Sequence, residues 1–269
     1  MTTSCRSPAI SFTRVWGVFW RYIFVLRKGG GHLADLFYWP LMDILMWGLT
    51  SVWIQTHHQV ENLPLILMTG LIFWQVAWRG SMDVSVNLLQ EFWDRNLVNL
   101  FSSPLKITEW CLGILSVCVC KLMITLSFGA IVVYVLYALN VFTIGWMFLP
   151  FAALLLLFGW TVGFLAASTI LQWGRQIEAI VWMIGWFFAP FSAVFYPVAT
   201  LPGWIQKVSW CLPTTYVFEG MRTILTNGQF PTHYFWISLA LGLVYFTLSL
   251  CVFLYSFKRS REKGLARLE

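Results

Sequence analysis

The stretch from residue 189 to residue 204 reads APFSAVFYPVATLPGW, and it interrupts a series of very apolar segments. Pro190, Pro197 and Pro202 lack a backbone donor and oppose a continuous helix here. Backbone that leaves a helix at membrane depth must be shielded by protein or line a cavity, because hydrocarbon offers no hydrogen-bond partner. A simple membrane anchor needs no such break. The interruption therefore favours a transport protein over an anchor.

The rest of the chain has the composition of a membrane protein. Hydrophobic residues make up 59% of its 269 residues, charged residues make up 10%, and the mean hydropathy is +0.74. Runs long enough to cross about 30 Å of hydrocarbon, which takes roughly 20 helical residues, occur at 33–54, 63–89, 109–139, 146–171, 176–196 and 234–257. The segments between them are too short to fold alone. We therefore expect one all-α polytopic membrane domain over residues 1–269, with six transmembrane helices.

The positive charges predict the orientation of this domain. Most of the 17 lysines and arginines fall on one side of the predicted spans, whereas Lys207 and Arg222 fall on the other. Positive residues are retained in the cytoplasm, so we expect both termini there and the protein in a plasma membrane, which is the inner membrane in a bacterium. The basic cluster at 258–267 suits the inner leaflet. The net charge of +6 therefore calls for no nucleic-acid partner.

The amino-terminal segment 8–28 is predicted to be an amphipathic helix in the membrane interface. At 100° per residue, Arg14 and Arg21 fall on one face, and Trp16 and Trp20 fall on the opposite face. The charges are spread through the apolar run instead of preceding it, which argues against a signal peptide.

Ionisable residues inside spans are costly and are candidates for function. The candidates are Asp43 in span one, Arg79 and Asp83 in span two, Lys121 in span three and Glu178 at the start of span five. Arg79 and Asp83 are four residues apart, so they either neutralise each other on one helix face or face a pathway. Lys121 is expected to be structural, with its ammonium group snorkelling to the interface. Glu178 is expected to have an interface or docking role. Asp43 has no local partner.

The segment 90–106, between spans two and three, differs from an ordinary loop. In order, it contains the charged Glu91, Asp94 and Arg95, the apolar Leu97, Leu100 and Phe101 at helical spacing, and a stop at Ser103 and Pro104. This order predicts a short amphipathic helix whose apolar face could press into a groove on another protein. A surface turn is the alternative.

The sequence has no motif for a bound cofactor or metal. It lacks the G-x-x-x-x-G-K-[ST] pattern that cradles phosphates, and its 4 histidines and 6 cysteines show no zinc-site spacing. We expect no catalytic residue, no cofactor and no metal in this chain. If ATP drives the protein, a partner subunit must bind the ATP and its magnesium.

Three motif groups point to one family. They are the Glu-led helix that ends in Ser103-Pro104-Leu105, the six spans, and a series after span five that contains FYP at 195–197, LPGW at 201–204, LPTTY at 212–216 and EGMR at 219–222. Together they resemble the membrane permease of type-2 ABC exporters. One departure is the bulky Trp93-Asp94-Arg95, where a Gly-rich stretch is expected.

The resemblance implies a homodimer of permeases in the lipid membrane, with each copy docked on a separate cytoplasmic ABC ATPase. It implies a type V exporter-like fold with re-entrant helices at 197–233, and a pathway at the dimer interface lined by spans one, two and five. The implied ATPase-docking residues are Glu91, Asp94, Arg95, Leu97, Leu100, Phe101, Ser103 and Pro104. The implied outer gate consists of Phe195, Tyr196, Pro197, Leu201, Pro202, Trp204, Pro213, Tyr216, Glu219 and Arg222.

Two other functional classes remain open. An ion-coupled secondary transporter would work without an ATPase and use Asp43, Asp83 or Glu178, although no internal repeat links the two halves of the chain. A membrane-embedded enzyme would depend on the loop histidines. The 17 Trp and 23 Phe residues permit aromatic belts at the interfaces or ring faces along a conduit. We expect export of an amphipathic cargo, with a drug or lipid preferred over a lipid-linked glycan.

Overall fold

The computed structural model describes residues 10–28, 30–58 and 63–263, and every regular element in these ranges is helical. The α-helices are α1 (Phe12–Lys28), α2 (Gly30–His58), α3 (Leu63–Trp93), α4 (Leu97–Ser102), α5 (Ile107–Tyr137), α6 (Phe148–Trp173), α7 (Glu178–Phe187), α8 (Gly203–Ser209), α9 (Pro213–Asn227) and α10 (Thr232–Glu262). Short 3₁₀ segments lie at Val141–Met147, Gly174–Ile177 and Val198–Thr200. Residues 8–9 of the predicted interfacial helix and 264–267 of the basic cluster lie outside the described residues.

Four of the described helices are long and apolar enough to cross a membrane, judged by length and composition. They are Leu63–Trp93, Ile107–Tyr137, Gly145–Trp173 and Thr232–Glu262, and they correspond to predicted spans two, three, four and six. The predicted first span is α2, which has 29 residues and contains Pro40. Its length of about 43 Å, from the helical rise, is sufficient to cross a bilayer. It also carries Asp35 and Asp43, which lower its hydropathy.

The helix predicted for the fifth span, over 176–196, is shorter in the structure than expected. α7 has 10 residues, or about 15 Å, which is half the thickness of the hydrocarbon core. The chain then turns through residues 188–196, where Ala189 precedes Pro190 and is biased away from helical geometry. Ala193 has a φ of 53°, which belongs to the left-handed region. An apolar run does not by itself distinguish a span from a buried turn, because both exclude water.

The helix α3 lies at the centre of the bundle and is buried along most of its length. Its most extensive contact is with α6, where two glycines allow the backbones to approach. A β-carbon on Gly159 would lie 2.5 Å from the carbonyl oxygen of Ala77, and one on Gly163 would lie 2.8 Å from that of Ser81. This glycine pair therefore serves packing within the chain.

The helix α1 packs along α5 and keeps an aromatic stripe exposed. Its buried side chains are Val18, Tyr22 and Leu26, and Val18 lies against Gly113 of α5. The exposed stripe consists of side chains one turn apart, namely Phe12, Trp16, Trp20 and Phe24. Such an arrangement of large apolar rings is typical of a helix that lies in the membrane interface.

Candidate functional site

A cavity of about 250 Å³ lies between α2, α3 and α7, with further lining residues from α1 and α5. Its ionisable lining residues are Asp35, Asp43, Arg79, Asp83 and Lys121, together with Tyr22. Its tryptophans are Trp39, Trp78, Trp182 and Trp186. We call this cavity the polar cleft. It brings together four of the five ionisable residues that the sequence identified within spans, and it leaves out Glu178.

Arg79 is the central cation of the polar cleft. Its Nη1 lies 2.7 Å from Oδ2 of Asp35 and 3.9 Å from Oδ1 of Asp83, and its Nη2 donates to the backbone oxygen of Asp35 at 3.0 Å. The guanidinium is almost fully buried, with 3% of its side chain exposed, whereas 45% of the Asp35 side chain is exposed. The nearest counter-ion is therefore on α2, and Asp83 on the same helix is the more distant partner.

Lys121 of α5 points into the bundle. Its Nζ donates to Oδ1 of Asp83 at 3.1 Å, and 12% of its side chain is exposed. The snorkelling prediction is therefore wrong, because a carboxylate across the helix contact neutralises the ammonium inside the protein. Asp83 thus lies between two cations. Within the described part of the chain, its second oxygen, Oδ2, and the Nε of Arg79 have no hydrogen-bond partner.

Asp43, also on α2, belongs to neither of these ion pairs, and its hydrogen-bond partner is a neutral side chain. Nε2 of Gln75 on α3 donates to its Oδ2 at 2.8 Å. Sequence reasoning found Asp43 but missed Gln75, because the two are 32 residues apart and no local pattern joins them.

Asp35 was also missed, although a signal for it exists. It lies inside the apolar run 33–54, so the criterion that selected Asp43 applies to it equally. Its position near the start of the run makes it resemble an interfacial residue. The contact with Arg79 shows that it belongs to the polar cleft.

Glu178 lies elsewhere, at the first turn of α7. Its Oε2 accepts a hydrogen bond from Nε1 of Trp93, at the end of α3, over 3.3 Å. The side chain of Arg175, its expected neighbour, is outside the described part of the chain. The contact with Trp93 connects the start of α7 to the segment that precedes α4.

A second charged network joins α1 to the end of α3. Nη2 of Arg21 lies 2.7 and 2.6 Å from the two carboxylate oxygens of Glu91, and the hydroxyl of Tyr22 donates to Glu91 at 2.6 Å. Asn96 donates to the same carboxylate at 2.9 Å. Burial, and then the charge of Glu91, raise the pKa of Tyr22 well above its usual value, so Tyr22 remains a donor. Glu91 is 1% exposed, and its carboxylate is engaged within the chain.

A similar contact fixes the start of α1. The guanidinium of Arg14 donates to Glu109 on α5 at 2.7 and 2.9 Å, and the backbone amides of Ser11 and Lys106 donate to the same carboxylate at 2.9 and 3.0 Å. The basic face of the interfacial helix is therefore turned toward buried carboxylates of its own chain.

The short helix α4 forms as predicted, but its apolar face is already covered. Leu97 is fully buried, and Leu100 and Phe101 pack into the same cluster. The ring centroid of Phe101 lies 4.6 Å from that of Phe257 on α10. The prediction that this apolar face is free to enter a groove on another protein is wrong, because the chain itself fills the space beneath α4.

The exposed side of this segment is polar. Its exposed residues are Asp94, Arg95, Val98, Asn99, Ser102 and Pro104, which we call the α4 outer face. Ser103 is half-buried and donates to the backbone oxygen of Leu100 at 2.6 Å. Arg95 has a φ of 49°, a conformation that glycine adopts readily. The Gly-rich stretch that the resemblance led us to expect here would adopt this geometry readily.

The predicted outer-gate residues Glu219 and Arg222 fasten the interrupted stretch to α9. Oε1 of Glu219 accepts from the backbone amide of Val198 at 2.7 Å and lies 3.2 Å from Nη1 of Arg222. Arg222 donates through Nη2 to the backbone oxygens of Ala193 and Val194. Burial lowers the pKa of Arg222, and the charge of Glu219 opposes that effect. These contacts satisfy backbone groups that the turn leaves without helical partners.

The other predicted gate residues line the same region in different environments. Phe195 stacks on Trp47 of α2 with centroids 4.3 Å apart, and the hydroxyls of Tyr196 and Tyr216 donate to the backbone oxygens of Pro190 and Trp210 at 2.6 and 2.8 Å. Pro213 is buried at the start of α9. The remaining positions are Pro197, Pro202 and Trp204, which are exposed, and Leu201, which is half-buried.

The described residues contain no group of three or more His, Cys, Asp or Glu side chains that could hold a metal ion. The polar cleft instead offers mixed charges, aromatic rings and an apolar wall. Such a cavity can bind a molecule and contains no nucleophile paired with a base.

The family comparison covers the residues that form this site. The model of the ABC-2 type transporter family matches residues 32–226, from the first turns of α2 to the last turn of α9. The match therefore includes α4, the interrupted stretch and the lining of the polar cleft apart from its α1 residues. No curated protein matches the chain. The match covers well over half of the sequence, so this chain belongs to the ABC-2 type transporter family and contains its transmembrane permease domain.

Proposed function

We propose that two copies of this chain form the membrane part of an ATP-driven exporter. Each copy is a single domain over residues 1–269 with six spans, in which α2 and the short α7 are the first and fifth. The helices α8 and α9 are the re-entrant pair of a type V fold. The protein resides in a plasma membrane with both termini in the cytoplasm. A separate cytoplasmic ABC ATPase binds ATP and magnesium.

The polar cleft carries this proposal. It lies between α2, α3 and α7, which are the helices expected along the pathway. A protein that serves only as an anchor has no use for five ionisable side chains around one cavity, because each is costly within a bilayer. In a dimer that brings two α2–α7 faces together, the two clefts would join into one chamber.

The α4 outer face is the proposed docking surface for the ATPase. It is exposed, and it lies directly after α3, whose middle carries Arg79 and Asp83. Glu91 and Leu97 contribute indirectly, because they hold α4 against α1, α3 and α10. Closure of the ATPases on ATP would move α4 and α3 together. The movement requires that the ATP-bound ATPases bind the outward-open permease better, since a ligand shifts an equilibrium only by its differential affinity.

The cargo proposed for this pathway is amphipathic, either a drug-like molecule or a lipid. The tryptophans of the polar cleft provide apolar surface, and its carboxylates and cations provide polar anchors. A lipid-linked glycan would require many hydrogen-bonding groups, and the described lining offers few neutral ones. The direction of transport is outward, from the cytoplasm or the inner leaflet.

The test is ATP hydrolysis by the chain in lipid nanodiscs, alone and with candidate ABC ATPases of its own organism. We expect hydrolysis to be stimulated by the permease only in a stable complex. Asn99→Arg, which places a bulky cation on the α4 outer face without altering the core, should weaken that complex. Lys207→Glu changes an exposed charge on α8 and serves as the control. The proposal fails if no ATPase binds, or if both variants have the same effect.

A secondary transporter predicts a different result from the same preparation. Its transport would follow a proton or sodium gradient without nucleotide, and Asp43→Asn would abolish it. Asp43 is the residue to examine because its hydrogen-bond partner, Gln75, carries no charge.

A further inference from the structure

We propose that the polar cleft selects amphipathic organic cations. This inference rests on the proposed function for the direction of transport, but the binding itself requires only the cleft. Three carboxylates, from Asp35, Asp43 and Asp83, line it together with two cations, Arg79 and Lys121. When all five are ionised, one negative charge remains for a ligand.

The ion pairs within the cleft identify which carboxylate has no cationic partner. Arg79 takes Asp35 as its nearest counter-ion at 2.7 Å, and Lys121 takes Asp83 at 3.1 Å. Asp43 makes its hydrogen bond with the amide of Gln75, and it forms no ion pair with any residue in the described ranges. Its charge is therefore available to a cation that enters the cleft. One positive charge on the ligand is enough to neutralise it.

The aromatic lining favours the same class of ligand. Trp39, Trp182 and Trp186 are exposed and line the cavity with the half-buried Trp78. Indole rings bind cations through their faces better than phenyl rings do, and the attraction increases when water is excluded. The rings also provide apolar surface for the hydrocarbon part of an amphipathic ion. The centroids of Trp78 and Trp186 are 5.3 Å apart, so these two rings form a continuous wall.

An anion of the same size meets an unfavourable cleft. The two cations are the more buried groups, with 3% and 12% of their side chains exposed, and each is already neutralised by a carboxylate. The more accessible charge is that of Asp35, with 45% of its side chain exposed. A ligand that approaches from the open side therefore meets negative charge and indole rings before it meets Arg79 or Lys121.

The experiment measures binding of radiolabelled tetraphenylphosphonium to the full chain in nanodiscs, with no ATPase present. Empty nanodiscs provide the lipid background. Tetraphenylborate has nearly the same shape and the opposite charge, so its binding is measured in a separate preparation as the matched comparison. We expect saturable binding of about one cation per chain, and no saturable binding of tetraphenylborate above the lipid background. Asp43→Asn retains an acceptor for Gln75 and should weaken binding roughly tenfold through loss of the charge.

Two further variants separate the cleft from general effects. Trp182→Leu removes an exposed indole face and should weaken binding several-fold. Glu262→Gln removes one carboxylate from the exposed end of α10 and should leave binding unchanged. Thermal unfolding in detergent checks that each variant is folded. If Asp43→Asn does not fold, the Trp182→Leu variant and the separate measurement with tetraphenylborate decide whether the cleft selects cations.

The proposal is overturned if the folded Asp43→Asn and Trp182→Leu variants bind the cation as the wild type does, or if tetraphenylborate, measured separately, binds the chain as tightly as the cation does. If the chain binds the cation but no ATPase forms a complex with it, this inference stands and the proposed exporter is contradicted. If an ATPase couples to the chain but the cation does not bind, the exporter stands and this inference is contradicted.

Discussion

Glu91 at the end of α3 is held by Arg21 of α1, whose Nη2 lies 2.7 and 2.6 Å from the two carboxylate oxygens. The interfacial helix is thereby tied to the segment that leads into α4. Tyr22 strengthens the contact by donating to the same carboxylate and by accepting from Nε1 of Trp110 at 3.1 Å. We infer that α1, α4 and the start of α5 move as one unit.

Glu91→Ala should destabilise the isolated permease. It leaves Arg21, Tyr22 and Asn96 without their shared acceptor, and loss of a buried ionic partner costs several kcal/mol. Because Arg21 retains 33% exposure, we expect about 2–4 kcal/mol. Denaturant unfolding in detergent measures the loss. Asp94→Ala, on the exposed side, should change stability by less than about 0.5 kcal/mol. Equal stability of the two variants would contradict the network.

Arg95→Gly should stabilise the permease by roughly 0.5–1 kcal/mol. Arg95 is exposed and has a φ of 49°, a region that a β-carbon disfavours and glycine tolerates. Arg95→Ala is the matched control, because it removes the guanidinium and keeps the β-carbon. Its unfolding midpoint should stay near that of the wild type. A midpoint for Arg95→Gly below that of Arg95→Ala would show that the turn carries no such strain.

Gly159→Ala should destabilise the bundle. The new methyl group would lie 2.5 Å from the carbonyl oxygen of Ala77 and close to the Cα of Gly80, so α3 and α6 must separate. Overpacking of this kind costs about 1–3 kcal/mol. Gly17→Ala is the control, because nothing lies within 4 Å of its added β-carbon. In that variant, helix propensity should offset any cost. Equal melting temperatures for both variants would refute close α3–α6 packing.

Glu219→Ala should loosen the interrupted stretch. The amide of Val198 loses its acceptor at 2.7 Å, and loss of one hydrogen bond of about 1–1.5 kcal/mol speeds amide exchange roughly tenfold. Hydrogen–deuterium exchange of the peptide that contains Val198 measures this change. Glu219→Gln retains the acceptor oxygen and should exchange nearly as slowly as the wild type. If both variants exchange at the wild-type rate, Glu219 does not fasten this stretch.

Local features of the chain were accessible from the sequence. Hydropathy identified the helices α3, α5, α6 and α10, and the order of charged, apolar and Ser-Pro residues identified α4. Prolines identified the break after residue 188, although the helix that precedes it proved shorter than its apolar run. These features depend on neighbours along the chain, so a pattern in the sequence is enough to find them.

The partners of the ionisable residues were not accessible in this way. Lys121 was expected at the interface and instead binds Asp83. Pairing with Asp83 was one of two alternatives for Arg79, which lies closer to Asp35. The apolar face of α4 was expected to serve another protein and is covered by α10. In each case the deciding contact comes from a different helix.

The sequence by itself determined that this protein is a helical membrane permease with a broken segment after residue 188. Composition, periodicity and proline positions act over one or two helical turns, so they fix such features locally. Only the tertiary structure decided which charges neutralise each other, and therefore that Asp43 keeps a neutral partner, Gln75. That outcome depends on the rotation and depth at which α2, α3 and α5 pack, because the nearest ionic partners lie 38 or more residues apart.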